Sequence, residues 1–195
     1  STLTFGNNIV VKGHDSTASN NGKITVQSGG AIVSSGTSSG NLILTSIFDT
    51  TVGGTTKQTS TSPAAGNWYG IVVDDGGTLS MSGFTMRYGG YAASGSARAG
   101  VRFVPGSGTA TSTIQNALFE KNYQYGVLAD GRNLVASDST FQNHSTPGTG
   151  GGIFVSAATA LLSNITFSGN SAYDIVGSNS PVVSCTNCGT PVTSP

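Results

Sequence analysis

The chain has 195 residues with 29 glycines, only 8% of its residues are charged, and its formal net charge is zero. Its eight Lys and Arg residues are scattered, which excludes an electrostatic footprint for DNA or RNA. No apolar segment approaches the roughly 20 residues that cross a bilayer, so we expect no membrane insertion.

Composition also indicates where the protein works. Lys and Glu are rare, Ser, Thr, Asn and Gly are abundant, and there are two cysteines. This balance is typical of a secreted or surface-displayed bacterial or archaeal protein rather than a cytosolic enzyme. We therefore expect an extracellular or cell-surface location.

The first 45 residues contain short apolar runs separated by turn residues. The runs are Leu3 to Phe5, Ile9 to Val11, Ile24 to Val26, Ala31 to Val33 and Leu42 to Leu44. Such short runs predict β-strands. We interpret residues 1–45 as amino-terminal turns of a solenoid, called rungs, with an open strand edge.

The segment 46–67 interrupts this rhythm. From Asp49 to Asn67 it contains Gly53, Gly54, a Thr/Ser-rich run and Pro63, and it has no periodicity. A structureless segment of this length is usually a functional or mobile loop. The sequence predicts a long loop that protrudes from the wall.

Residues 68–180 carry the clearest signal, a repeated glycine followed by alternating apolar residues. The glycines are Gly70, Gly100, Gly126 and Gly152, which recur every 26 to 30 residues. A repeat of this length is typical of solenoids. Residues 181–195 then form a carboxy-terminal cap or tail, and the whole chain is one domain.

Alternation within each repeat separates inward from outward residues. The predicted inward residues of the strand after each glycine are Ile71 and Val73, Val101 and Phe103, Val127 and Ala129, and Ile153 and Val155. Those of a later strand are Phe84 and Met86, Ala117 and Phe119, Ser139 and Phe141, and Ile165 and Phe167. A third strand lies between them. The sequence therefore predicts an all-β, parallel β-helix with three short strands per rung and about five to seven rungs.

Two features of the corners follow from this register. Asn122, Asn143 and Asn170 follow the later strands and form either an inward asparagine ladder or ordinary turns. Arg87 and Glu120 occupy equivalent positions on neighbouring rungs. They should form a surface ion pair worth about 0 to 1 kcal/mol.

The segments around Leu44 to Asp49, Gly66 to Val73 and Arg87 to Gly90 resemble the right-handed parallel β-helix repeats of bacterial and archaeal surface proteins, in the pectin-lyase-like superfamily. The resemblance covers about residues 20 to 180 and implies fold more than function. Similar loops in that group are often rich in Asp. This chain has Thr50, Thr51 and Thr55 there, and no metal site or cofactor is predicted.

Catalytic candidates are few. Asp74 and Asp130 lie four residues after their repeat glycines, about 10 Å apart in one column, near the upper limit for an inverting glycosidase pair. Arg102 is the basic residue on an outward strand position. Both acids also sit where Asp caps a turn, the interpretation we favour. His14 and His144 are interpreted as surface residues.

Aromatic residues concentrate around the rung junctions and the long loop. They are Trp68, Tyr69, Tyr88, Tyr91, Tyr123 and Tyr125. Rings with a polar tip suit a polysaccharide surface. The alternative interpretation is that half or more of them serve only to cover the wall. An ice-binding array of Thr85, Thr140 and Thr166 is a remote alternative, because Leu118 interrupts it.

Two covalent features remain. Cys185 and Cys188 predict a local disulfide near the carboxy terminus, since no further metal ligands accompany them. Asn143 and Asn164 begin N-x-Ser/Thr sequons, which are candidate glycosylation sites.

The predicted solenoid has no capping helix at either end, and open sheet edges are templates for another strand. The apolar residues at these edges are Leu3, Phe5, Ile9, Val11, Val182 and Val183. The leading hypothesis is a non-enzymatic building block that self-associates into a filament or surface layer or displays an adhesive face. The alternatives are a carbohydrate-active or carbohydrate-binding β-helix, and a module of a larger adhesin.

Overall fold

The computed structural model describes residues 1–14, 22–56, 62–91, 98–106, 110–146 and 150–189. Every regular secondary-structure element in these ranges is a β-strand, and every strand pairing is parallel. The strands are β1 (Thr2–Phe5), β2 (Ile9–Gly13), β3 (Lys23–Val26), β4 (Ala31–Ser35), β5 (Leu42–Ser46), β6 (Gly70–Val73), β7 (Thr78–Ser82), β8 (Phe84–Arg87), β9 (Ala99–Phe103), β10 (Ser112–Gln115), β11 (Leu118–Glu120), β12 (Tyr125–Asp130), β13 (Leu134–Gln142), β14 (Gly151–Ser156), β15 (Thr159–Ser168), β16 (Tyr173–Ser178) and β17 (Val182–Thr186). No helix among these residues is long and apolar enough to span a membrane.

The strands form three parallel stacks. The first stack runs β1, β4, β7, β10, the first half of β13, the first half of β15, and β17. The second runs β2, β5, β8, β11 and the second halves of β13 and β15. The third runs β3, β6, β9, β12, β14 and β16. The predicted all-β class with parallel pairing is confirmed.

The core lies between the stacks and follows the predicted alternation. Every predicted inward residue of the third stack, from Ile71 to Val155, is fully buried. In the second stack the same holds for Phe84, Met86, Phe119 and Phe141, and Phe167 is partly buried. Successive strands therefore place apolar side chains directly above one another.

Phe119, Phe141 and Phe167 occupy one register position of the second stack and form a column inside it, and Phe84, two residues earlier in the register, contacts the end of this column. The ring centroids of Phe84 and Phe119 are 5.4 Å apart, those of Phe119 and Phe141 are 4.8 Å apart, and those of Phe141 and Phe167 are 5.8 Å apart. Phe119 and Phe141 are stacked with planes only 4° apart. These distances are within the range of favourable aromatic pairs.

The repeated glycines are explained by this column. A Cβ atom on Gly126 would lie 2.7 Å from Cδ1 of Phe141, and one on Gly152 would lie 2.7 Å from the Phe167 ring. At Gly100 it would meet Asn122 and Met86 at 3.0 Å. The repeat glycine thus lets each third-stack strand approach the side chains of the second stack.

Gly126→Ala is expected to destabilise the protein by about 1 to 3 kcal/mol, because the added methyl group overpacks the Phe141 ring. Gly40→Ala is the matched control, since a Cβ atom there has open space around it and its φ is not left-handed. Urea unfolding monitored by circular dichroism measures both. Equal stabilities would contradict this role for the repeat glycine.

The outer face of the third stack carries a second, smaller apolar cluster. Ala99, Tyr125 and Leu128 are buried there, and Phe154 and Val176 pack against them. The rings of Tyr125 and Phe154 are 5.2 Å apart. The outward apolar residues of this stack are therefore covered largely within the chain itself.

A ladder of amide and carboxylate side chains marks the corner between the first and second stacks. Asn116, Asp138, Asn164 and Asn187 all have left-handed φ angles, between 50° and 54°. Asn164 Nδ2 donates to Asp138 Oδ1 at 2.9 Å, and Asn187 Nδ2 donates to Asn164 Oδ1 at 3.1 Å. Asn and Asp tolerate this backbone conformation better than other non-glycine residues, and here their side chains also join neighbouring strands.

Candidate functional site

The three catalytic candidates lie in one region of the third stack. Asp74 and Asp130 follow Val73 and Ala129, which both align with Phe103, so the acids lie two strands apart as predicted. Arg102 lies on the strand between them. The backbone oxygen of Asp74 accepts hydrogen bonds from Gly77 N at 2.9 Å and from Arg132 Nη1 at 3.2 Å. These contacts support a structural turn at Asp74.

Arg132 is the residue that organises this turn, and the sequence interpretation missed it. Its side chain is fully buried, Nη2 donates to Gly77 O at 2.6 Å, and Nη1 lies 3.8 Å from Asp75 Oδ1. A basic residue two positions before β13, in a chain with so few charges, was the available signal. Arg132 joins two turns of the chain that are more than fifty residues apart in sequence.

The six aromatic candidates divide into two groups. Trp68, Tyr88 and Tyr125 are buried, so their rings are not accessible to a polysaccharide. The Trp68 ring packs over Gly13, and its Nε1 donates to Arg87 O at 2.8 Å. Trp68 is therefore a core residue that contacts both β2 and β8.

Tyr69, Tyr91 and Tyr123 are partly exposed. The Tyr69 and Tyr91 rings meet edge to face at 6.4 Å. Lys23 Nζ lies 5.3 Å from the Tyr69 ring centre, and Arg98 lies 4.7 Å from that of Tyr123. Cations therefore already contact the faces of two of these rings.

A ladder of inward polar side chains lies at the corner after the second stack, and it differs by one residue from the asparagine ladder considered in the sequence analysis. Asn122 and Asn170 belong to it, but the middle position is His144, and Asn143 points outward. Asn122 Oδ1 accepts from Gly89 N at 2.9 Å, His144 Nδ1 accepts from Asn122 N at 3.2 Å, and Asn170 Oδ1 accepts from His144 N at 3.3 Å.

The prediction that His144 is a surface residue is wrong, because this ladder holds it inside. His14, in contrast, is exposed. Burial lowers the pKa of His144 to about 3, although its hydrogen bond with the Asn122 backbone opposes the shift. His144 is neutral in the folded protein, and its Nε2 has no hydrogen-bond partner.

The long segment begins with a buried ionic anchor. Asp49 is fully buried, its Oδ2 lies 2.6 Å from Arg87 Nη2, and the hydroxyl groups of Thr45 and Thr51 each donate to it at 2.6 Å. Arg87 Nη1 also lies 3.2 Å from Glu120 Oε1, so the predicted Arg87–Glu120 pair forms, but the expectation of a surface pair is wrong because both side chains are largely buried.

Lys12 extends this anchor to β2. Its Nζ donates to Asp49 O at 2.7 Å and to Gly54 O. Residues 47–56 therefore lie against the outer face of β2, whereas residues 57–61 of the predicted protruding loop lie outside the described residues.

The amino-terminal end of the stacks is an open edge. Within the described ranges β1, β2 and β3 each pair on one side only, with β4, β5 and β6. Leu3 is 49% exposed and Ile9 is 36% exposed, while Phe5 and Val11 are partly buried. A shallow depression at this end is lined by Ser1, Leu3 and residues 24–32. The edge combines free backbone groups with apolar side chains.

The carboxy-terminal end is open in the same three stacks. Among the described residues β17, β16 and the second half of β15 each pair on one side only. All five residues of β17 are exposed, Val182 at 60% and Val183 at 36%. A depression here is lined by Ile165, Thr166, Phe167, Asp174, Asn187, Cys188 and Gly189.

A disulfide between Cys185 and Cys188 lies at this end, with Cα atoms 5.9 Å apart. Cys188 is buried within the core cluster. Of the sequon residues, Asn143 is exposed, whereas Asn164 is engaged in the corner ladder. Across the described part of the chain, no three His, Cys, Asp or Glu residues group as a metal site.

Comparison with known proteins identified no matching family model, no similar curated protein and no similar solved structure.

Proposed function

We propose that this chain is an extracellular, non-enzymatic right-handed parallel β-helix of six full rungs that assembles end to end into a filament or surface layer. The observation that carries the proposal is the pair of open ends. Among the described strands, each of the three stacks stops at both ends in a strand that is paired on one side only. Such an edge is a template for a strand of another chain.

The chemistry of the two ends supports a second copy as the partner. Both ends present incompletely buried apolar residues of the inward set, Leu3 and Ile9 at one end and Phe167 at the other, and no further strand covers them among the described residues. Joining the ends continues the core and removes these residues from water. With a net charge of zero, little long-range repulsion opposes the contact.

The test is assembly of the 195-residue chain, with a matched pair of variants on β1. Leu3→Asp places a carboxylate in the proposed contact, while Thr4→Asp places it on the outer face of the same strand. We expect Leu3→Asp to raise the concentration for half-assembly by about tenfold or more, because burying an unpaired charge is costly. Thr4→Asp should have a much smaller effect.

Sedimentation velocity measures both variants, and circular dichroism checks their folding. Removal of residues 1–11 should abolish assembly altogether. A wild-type chain that stays at 19.5 kDa at every concentration, or assembly that is unaffected by Leu3→Asp, would contradict the proposal.

A further inference from the structure

The first stack has one strand more than the other two. Counting the described strands, it contains seven members, whereas the second and third stacks contain six each. If two copies join so that the second and third stacks continue without a gap, β2 of the incoming copy lies on β15 and its β3 lies on β16. The β1 strand of that copy then needs the position that β17 occupies.

The registers show that β1 and β17 are equivalent. Leu3 aligns through Ile32, Leu79, Leu134 and Ala160 with Val183, and Phe5 aligns through the same stack with Cys185. Cys188 follows Asn187 as Ile165 follows Asn164, so Cys188 aligns with Ile165 in the second stack. Ile9 aligns with Ile165 through the same stack, so Cys188 and Ile9 occupy equivalent positions. The segment 182–188 therefore fills the same three inward positions as the segment 3–9.

We propose that the segment from Val182 to Cys188 is a self-complementing cap, which is exchanged for the β1–β2 segment of a second copy when the chain assembles. This inference rests on the proposed function. It identifies the docking surface as the edge of β15, with its first half freed of β17, together with the edge of β16. The partner is strands β1, β2 and β3 of another copy. In the single chain the cap covers the first half of the β15 edge.

The side chains favour the exchange. The incoming segment offers Leu3, Phe5 and Ile9 where the cap offers only Val183, Cys185 and Cys188, so the exchange buries more apolar surface. The depression floored by Ile165 and Phe167 lies beside Cys188. It is where Val11 of the incoming copy would lie, because Val11 stands two residues after Ile9 as Phe167 does after Ile165.

Among the described residues, the cap is held mainly by its ladder with β15 and by Cys188, which is buried in the core cluster. All residues of β17 are exposed. Beyond its ladder with β15, Val182 N donates to Ala158 O at 2.9 Å, and Asn187 bonds to Asn164. A strand with little burial is the part of a fold that opens most readily, which makes β17 the natural strand to be displaced.

The first test removes the cap. A chain ending at Ser180 should assemble at a concentration at least about tenfold lower than the full chain, because no strand has to be displaced. Val183→Asp in the full chain weakens the cap without truncation and should act in the same direction. Ser184→Asp, outward on the same strand, is its control and should change assembly little.

The second test measures the register. The chain ending at Ser180 contains no cysteine, so engineered cysteines can be placed without interference. Thr4 of a second copy should lie beside Leu161, because both align through Val33, Ser80 and Val135. Neighbouring strands are about 4.8 Å apart, within the Cα separation of about 4.4 to 6.8 Å that a disulfide requires.

Thr4→Cys combined with Leu161→Cys should therefore give covalent multimers on oxidation. Thr4→Cys combined with Ser163→Cys, two residues out of register and about 8 Å away, should not. Full-length chains that assemble as well as or better than the chain ending at Ser180 would overturn the cap while leaving the proposed function intact. If neither chain assembles, both proposals fail.

Discussion

His144→Asn is expected to remove most of the loss of stability between about pH 7 and about pH 4. The folded-state pKa of His144 is about 3, below the ordinary value of about 6.5. Between these values the unfolded chain binds a proton that the folded chain does not. The stabilisation that comes from the neutral His144 is therefore complete above about pH 6.5 and is lost progressively as the pH falls toward about 3. At about pH 4 the loss in the free energy of unfolding amounts to about 3 kcal/mol.

Asparagine suits this position because the neighbouring ladder residues are already asparagines. Asn122 Nδ2 donates to Met86 O at 2.9 Å, and Asn170 Nδ2 donates to Phe141 O at 3.2 Å. An asparagine at 144 would have Asn122 N as its donor and Phe119 O as its acceptor in the same pattern. It would also remove the unsatisfied Nε2 atom.

The measurement is the free energy of unfolding in urea between about pH 7 and about pH 4. We expect a slope for His144→Asn that is clearly smaller than that of the wild type. His14→Asn, at an exposed position, is the control and should retain the wild-type slope. Identical slopes for all three chains would contradict the buried, neutral His144.

Asp49→Asn is expected to destabilise the protein by about 3 kcal/mol, because it leaves a largely buried Arg87 without its closest partner. Burial opposes the charged form of Asp49, but hydrogen bonds from Thr45 and Thr51 and the charge of Arg87 outweigh it and lower the pKa of Asp49. Its contribution is thus present above about pH 4 and is lost as the pH falls through the lowered folded-state pKa.

Asp75→Asn is the matched control. Asp75 also faces an arginine, Arg132, but at 3.8 Å and with 47% of its side chain exposed. An exposed pair contributes about 0 to 1 kcal/mol. Urea unfolding at about pH 7 compares the two variants. Equal losses in the free energy of unfolding would contradict a larger stabilising contribution from Asp49 than from Asp75.

The sequence predicted the parallel strands and their inward faces where the repeat is regular. Alternation around Gly126 and Gly152 assigned the inward residues correctly, because a two-residue period in a strand admits only two phases. The Arg87–Glu120 pair followed from the same register. Residues 1–45 were less clear, since their strands are short and the repeat glycine is absent there.

The sequence did not predict correctly which side chains point inward at the irregular corners. Asn143 and His144 are adjacent, and a left-handed φ of 56° at Asn143 turns that residue outward and His144 inward. Residue type alone had favoured an inward Asn143 and a surface His144. Asp49 and Arg132 were missed for a similar reason, because the partners that make their burial tolerable lie tens of residues away in sequence.

The most direct test of the central claim is electron microscopy of the purified 195-residue chain over a series of concentrations. End-to-end assembly predicts rods of constant width whose length grows with concentration, since each added copy extends the three stacks. Single particles of 19.5 kDa at every concentration would contradict it.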